Sequence, residues 1–177
     1  MYKEIYQKLY TTSRYGWADK GCCPGVRYFP KYEAWLLNPI IDLGCGSGDT
    51  VKLLRKEGFD ADGIDQIELK NGMISGDICD PMKGIEKYKT AISIDVFEHL
   101  TNEKLRGLLS NMAQCRRQVL NIFLGPSTWP GTNFDLHINQ QGWPEWEALI
   151  QEYLRIIHSE VNDRCRRLFF CESLHSW

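Results

Sequence analysis

The stretch Ile40-Ile41-Asp42-Leu43-Gly44-Cys45-Gly46-Ser47-Gly48-Asp49-Thr50 decides how the chain reads. A short apolar run ends in a carboxylate, passes through a Gly-x-Gly-x-Gly turn and enters a helical pattern. That order predicts a buried parallel strand opening through a glycine turn into a helix. Gly44, Gly46 and Gly48 have no Cβ and tolerate positive φ, so the backbone here can come very close to a ligand. The turn's amides and the helix N-terminus make an electropositive end that suits a carboxylate or a phosphate. A dinucleotide fingerprint wants G-x-G-x-x-G, and here the third glycine comes one residue too early. The spacing therefore counts against a nicotinamide oxidoreductase.

Downstream, the helix predicted over 49–56 has Val51, Leu53 and Leu54 on its apolar side and Gly58 where a C-terminal cap belongs. A second strand over 61–65 ends in Asp65-Gln66. An acid about 20 residues after the glycine turn, at a strand's carboxyl end, is placed to accept hydrogen bonds from ribose hydroxyls. A third short strand, Met73-Ile74-Ser75, runs into Gly76-Asp77-Ile78. A fourth covers 90–96, followed by Phe97-Glu98-His99-Leu100. Thr101 then caps a helix whose stripe of Leu105, Leu108, Leu109 and Met112 belongs to the core. A fifth strand over 118–124 leads into a turn-rich loop holding Trp129 and His137. Such a loop at a strand's carboxyl end lies on the active edge of an open α/β sheet. A helix begins near Pro144, and two strands over 155–161 and 167–174 are joined so tightly that they must pair antiparallel.

Upstream, Tyr2, Ile5, Tyr6, Leu9 and Tyr10 form one apolar helical face. The aromatic segment over 13–30 is broken by Gly16, Gly21, Pro24, Gly25 and Pro30, and reads as an irregular lid over the ligand. Residues 31–37 form a short helix that Asn38-Pro39 stops. One domain over 1–177 follows: an N-terminal helix and lid over 1–37, then an α/β core over 38–177.

The composition fits that picture. A chain of 177 residues with 25% charged and 43% hydrophobic residues suits one globular domain with a sizeable core. The net charge of -2 gives no global reason to expect a nucleic-acid partner. The basic residues Arg116, Arg117, Arg164, Arg166 and Arg167 read as solvated strand ends. No apolar run approaches a membrane span, and the N-terminus lacks a signal-peptide pattern, so a cytoplasmic location is expected. Seven scattered cysteines without a C-x-x-C pair read as structural thiols, and no metal site is expected. Oligomeric state stays open.

The run Asp42 to Gly48 resembles motif I of the class I S-adenosylmethionine-dependent methyltransferases. Gly76-Asp77-Ile78 and Asp95-Val96-Phe97-Glu98-His99-Leu100 resemble later segments of the same superfamily. The resemblance covers about residues 38–174. It implies a Rossmann-like sheet of seven strands in the order 3-2-1-4-5-7-6, mostly parallel with the last strand antiparallel, and helices on both faces. It implies S-adenosyl-L-methionine as cofactor. Asp42, Gly44, Cys45, Gly46 and Gly48 would hold its methionine part, Asp65 with Gln66 the ribose, and Asp77 with Ile78 the adenine. Asp95 and Val96 would border the sulfonium.

His137 is the candidate base, ahead of Glu98 and His99. Tyr15, Trp17 and Trp129 are candidate walls of the acceptor site. No Asn/Asp-Pro-Pro-Tyr/Phe motif follows the fourth strand, which disfavours amino methylation of DNA bases. The expected reaction is methyl transfer to a small molecule. Methylation of a protein or RNA group is the alternative within enzymes, and an inactive cofactor-binding regulatory subunit the alternative outside them.

Overall fold

The computed structural model describes residues 2–11, 23–67, 72–128 and 135–175. The predicted first strand, helix and second strand form as β1 (Ile40–Leu43), α3 (Asp49–Lys56) and β2 (Ala61–Asp65), after α1 (Tyr2–Thr11) and α2 (Pro24–Tyr32). Then come β3 (Ile74–Ser75), β4 (Thr90–Ile94), α4 (Asn102–Met112), β5 (Arg117–Phe123), α5 (Trp143–Gln151), β6 (Leu154–Asp163) and β7 (Arg166–Ser173). They build one seven-stranded sheet in the order β3-β2-β1-β4-β5-β7-β6. Strands β1 to β5 pair parallel, and β7 runs antiparallel to both β5 and β6.

Successive side chains of a strand point to opposite faces, and here each face is covered. Ile40, Val119, Leu168 and Phe170 meet α2 and α3 through Tyr28, Phe29, Tyr32, Val51 and Leu54. Ile41, Leu120, Phe169 and Cys171 meet α4 and α5 through Leu105, Leu109, Trp146 and Ile150. Doubly covered strands explain the near-continuous apolar runs that marked them in the sequence.

Three local expectations are corrected. Residues 24–32 form a helix, not an irregular loop. Pro24 stands in its first turn, where no amide is needed, and Pro30 lies one turn from its end. Gly25, Tyr28, Phe29 and Tyr32 then make one buried face, with Tyr32 Oη donating to Gly25 O at 2.6 Å. A Cβ on Gly25 would come within 2.1 Å of Thr50 Oγ1, so glycine lets α2 lie directly on α3. Strand β3 keeps only two residues, because it pairs with β2 alone and Ile74 is exposed. Strand β4 stops at Ile94, because Asp95 takes φ +53°, a left-handed conformation that ends an extended strand.

Candidate active site

The carboxyl ends of β1, β2, β4 and β5 share one edge of the sheet. At β1 the chain leaves through Gly44 (φ +87°), Gly46 (φ +50°) and Gly48 (φ +74°). A Cβ on Gly44 would lie 2.5 Å from Val96 Cγ2, so a larger residue would push this loop away from the turn after β4. Asp65, at the end of β2, holds the loop from the other side. Its Oδ2 accepts from Gly46 N at 2.8 Å and its Oδ1 from Ile67 N at 3.0 Å.

Two cavities open along this edge. The larger, ≈ 240 Å³, is bordered by Asp65, Gln66, Asp77, Ile78, Val96 and Tyr6. The smaller, ≈ 130 Å³, is bordered by Asp42, Cys45, Gly46, Phe123, His137 and Arg166, and by Cys23, Pro24 and Gly25 at the start of α2. Gly44, Asp95 and His99 line both. Of the residues read as a lid, those described thus form a helical wall. Tyr15, Trp17 and Trp129 lie outside the described residues.

Ionisable side chains line both cavities. Burial, reinforced by the charge of Asp65, pushes Asp42 up to about 7. Burial raises Asp65 too, against the amides of Gly46, Ile67 and Gln66. Burial alone would also raise Asp77, but Cys79 N–H and the Lys104 ammonium outweigh it and hold Asp77 low. Burial pushes the Cys45 thiol up, in keeping with a structural role. No disulfide joins the six described cysteines.

His137 is buried and borders the smaller cavity. Its Nδ1 donates to Gly125 O at 2.5 Å, so neutral His137 carries its lone pair on Nε2. Asp135 fixes the loop by accepting from His137 N at 2.9 Å and Ser127 N at 3.2 Å. The His99 ring lies edge-on to His137 with centroids 4.6 Å apart, and its Nδ1 is 2.7 Å from Tyr6 Oη. Burial lowers both imidazoles, His99 to about 4. Glu98, fully buried, accepts from Phe123 N at 3.2 Å. Burial, with Asp95 adding to it, pushes Glu98 well above the usual carboxylate range.

Arg166 was read as a solvated strand end, and the fold overturns that. It is buried, its Nη2 lies 3.1 Å from Asp95 Oδ2, and its guanidinium sits 4.0 Å from the centre of the Phe123 ring. Asn121 Nδ2 also donates to Asp95. Burial pushes Asp95 up while Arg166 and Asn121 pull against it. The signal was in the topology. Strand β7 runs against β5, with Arg166 opposite Phe123, so the first residue of β7 falls at the carboxyl edge where ligands bind.

This sheet order, with a glycine loop after β1 and acids closing β1, β2 and β4, defines the class I methyltransferase fold. Residues 17–120 match the family described as a methyltransferase domain, and the chain belongs to it. It is an S-adenosylmethionine-dependent methyltransferase. Among solved structures, it is similar to 1,6-didemethyltoxoflavin-N1-methyltransferase of Burkholderia thailandensis, with a TM-score of 0.74 and 16% identity over 97% of this chain and 88% of that one. A TehB-like methyltransferase of Corynebacterium glutamicum gives 0.69 and 15% over 96% and 99%. Magnesium protoporphyrin IX methyltransferase of Synechocystis gives 0.61 and 20% over 96% and 93%. At such identities the likeness speaks for the fold. No curated protein sequence matches significantly.

Proposed function

We propose that the chain methylates a small molecule held at the Phe123 and His137 side of the smaller cavity, with the cofactor lying along the glycine loop on that cavity's other side and reaching into the larger one. The observation that carries this is the meeting of two differently built cavities at Gly44, Asp95 and His99. The larger runs from Gly44 past Asp65 and Asp77 to Tyr6, and the smaller joins the glycine loop and Asp42 to Phe123 and the imidazoles of His99 and His137 under α2. The residues present fit the cofactor: the loop through Gly44 and Gly46 presents bare backbone at positive φ to the cavities, and the buried acids Asp42 and Asp65 suit a ligand carrying positive charge.

S-Adenosylmethionine supplies a sulfonium methyl, already a strong electrophile. The chain's task is then to position the acceptor and exclude water. In this reading Gly44, Cys45, Gly46, Gly48 and Asp42 hold the methionine part. Asp65 and Gln66 hold the ribose, Asp77 and Ile78 the adenine, and Asp95 and Val96 the junction. When the acceptor is a hydroxyl, His137 takes its proton at Nε2, which the Gly125 carbonyl leaves free. Two structural neighbours bear on the acceptor class: one carries bound 1,6-didemethyltoxoflavin, and another is named for magnesium protoporphyrin IX. No helix among the described residues is long and apolar enough to cross a membrane. We place the enzyme in the cytoplasm, where cysteines outside disulfides stay reduced.

The test is transfer of a labelled methyl group from S-adenosylmethionine to a panel of small hydroxyl, amine and thiol compounds. Label should appear in a small molecule. With a hydroxyl acceptor, His137→Ala should slow turnover by about 10²–10⁴-fold. Label found only in protein or RNA, or bound cofactor with no transfer to any acceptor, would overturn the reading.

A further inference from the structure

Glu98, His99 and His137 come from two separate stretches of local structure: the first two from the 3₁₀ turn Phe97–His99, the third from the loop after β5. Yet one donor atom from each lies within 4.8 Å of the others. Divalent transition metals bind imidazole nitrogen and carboxylate oxygen at about 2.0–2.2 Å, so neighbouring donors of one site stand about 3.0–3.5 Å apart. Side-chain rotations that move the donors by roughly an ångström close the gap.

The surroundings hold these groups as ligands of a metal are held. His137 Nδ1 is tied to Gly125 O at 2.5 Å, and His99 Nδ1 faces Leu136 O at 3.0 Å. A backbone carbonyl on one ring nitrogen fixes the ring and offers the other nitrogen to a cation. Glu98 is anchored through Oε1 by Phe123 N at 3.2 Å, while Oε2 is buried with no partner among the described residues. A buried carboxylate oxygen left without a partner is costly and asks for one.

We propose that Glu98, His99 and His137 bind a divalent transition-metal ion at the wall of the acceptor cavity. Two imidazoles and one carboxylate form the donor set that suits Mn²⁺, Fe²⁺, Co²⁺ or Zn²⁺ and leaves coordination positions open. Both histidines line the smaller cavity, so the open side faces the acceptor. The scattered cysteines raised no expectation of a metal, and these ligands lie 39 positions apart at the extreme.

Binding of the cation stands apart from the methyl-transfer reading. Its consequence rests on that reading. With the cation present the His137 lone pair is taken, and the acceptor is an oxygen nucleophile whose proton the cation makes easier to lose to solvent.

The test is titration of the full-length, untagged chain with Co²⁺, read by the visible absorption of the bound ion, followed by displacement with Zn²⁺ or Mn²⁺. One Co²⁺ per chain is expected. Glu98→Gln keeps a carbonyl oxygen for Phe123 N and should weaken binding at least tenfold, as should His137→Gln should the first variant fold poorly. His158→Gln, whose ring stacks on Phe170, should bind like the parent chain. No bound Co²⁺, or equal binding by parent, Glu98→Gln and His137→Gln, overturns the site. So does loss of binding with His158→Gln. S-Adenosylmethionine titrated without metal separates the two readings: cofactor binding without Co²⁺ binding sinks the metal site alone, and the reverse sinks the cofactor assignment alone.

Discussion

The two ends of the active edge are built by different means. Around β1 and β2 the chain makes its ligand surface from backbone: three glycines at positive φ, amides, and two buried acids, all within 24 residues. Around β4, β5 and β7 it makes the surface from side chains: Asp95, Glu98, His99, His137 and Arg166, gathered from across 72 residues by the sheet order. A backbone site depends on residues that lack side chains. A side-chain site depends on charges that balance one another. The first fails by steric intrusion, the second by an orphaned charge.

The largest effect should come from orphaning a charge. Arg166→Met leaves Asp95 buried with only Asn121 beside it. Breaking a buried pair by removing one partner costs about 3–5 kcal/mol, and since both side chains keep some exposure the lower figure, about 3 kcal/mol, is expected here in urea titration. Adding Asp95→Asn should restore most of that. If the single variant is as stable as the parent, the acceptor end is not held by this pair.

Steric intrusion at the other end should cost less stability and more binding. Gly44→Ala places a Cβ 2.5 Å from Val96 Cγ2 at a φ of +87°, which costs a non-glycine residue about 1–2 kcal/mol. S-Adenosylmethionine affinity should fall at least about tenfold. Val96→Ala in the same chain should relieve the overlap but not the φ cost, so recovery should be partial. Full recovery would mean that only the contact mattered.

The smallest effect is a pH dependence. Asp42 binds its proton more tightly folded, at about 7, than unfolded, near 3.8, because of burial and then Asp65. The folded state therefore holds a proton that the unfolded chain has lost between those values. Stability should be highest below about pH 4, decline towards about pH 7 and level off above. Asp42→Asn should flatten this slope and raise the urea midpoint at about pH 8 relative to the parent. It should also weaken cofactor binding. A slope that survives the substitution belongs to another group.

The same contrast explains what could be read before the structure. The backbone site was legible because its parts are neighbours in sequence: Asp42, Gly44, Gly46, Gly48 and Asp65 carry their meaning in their spacing. Strand order was legible through the resemblance of the whole pattern. The helix over 24–32 was hidden because Pro24, Gly25 and Pro30 are usually breakers, and only the packing of Gly25 on Thr50 shows why they suit a helix here. Arg166 was misread because an arginine at a strand end is usually solvated, and its burial depends on the antiparallel return of β7 beside β5. Glu98, His99 and His137 were each noted singly, but their approach depends on how the loop after β5 folds back over the turn after β4.

The most direct test of the central claim is calorimetric titration of S-adenosylmethionine into the parent chain and into Asp65→Ala. This claim is that the β1–β2 edge is the cofactor site, with Asp65 holding both the glycine loop and the ribose. Loss of hydrogen bonds to a charged carboxylate should weaken binding by about 1.5–3 kcal/mol, roughly 10- to 150-fold. Equal affinity for the two chains, at equal stability, would contradict the account.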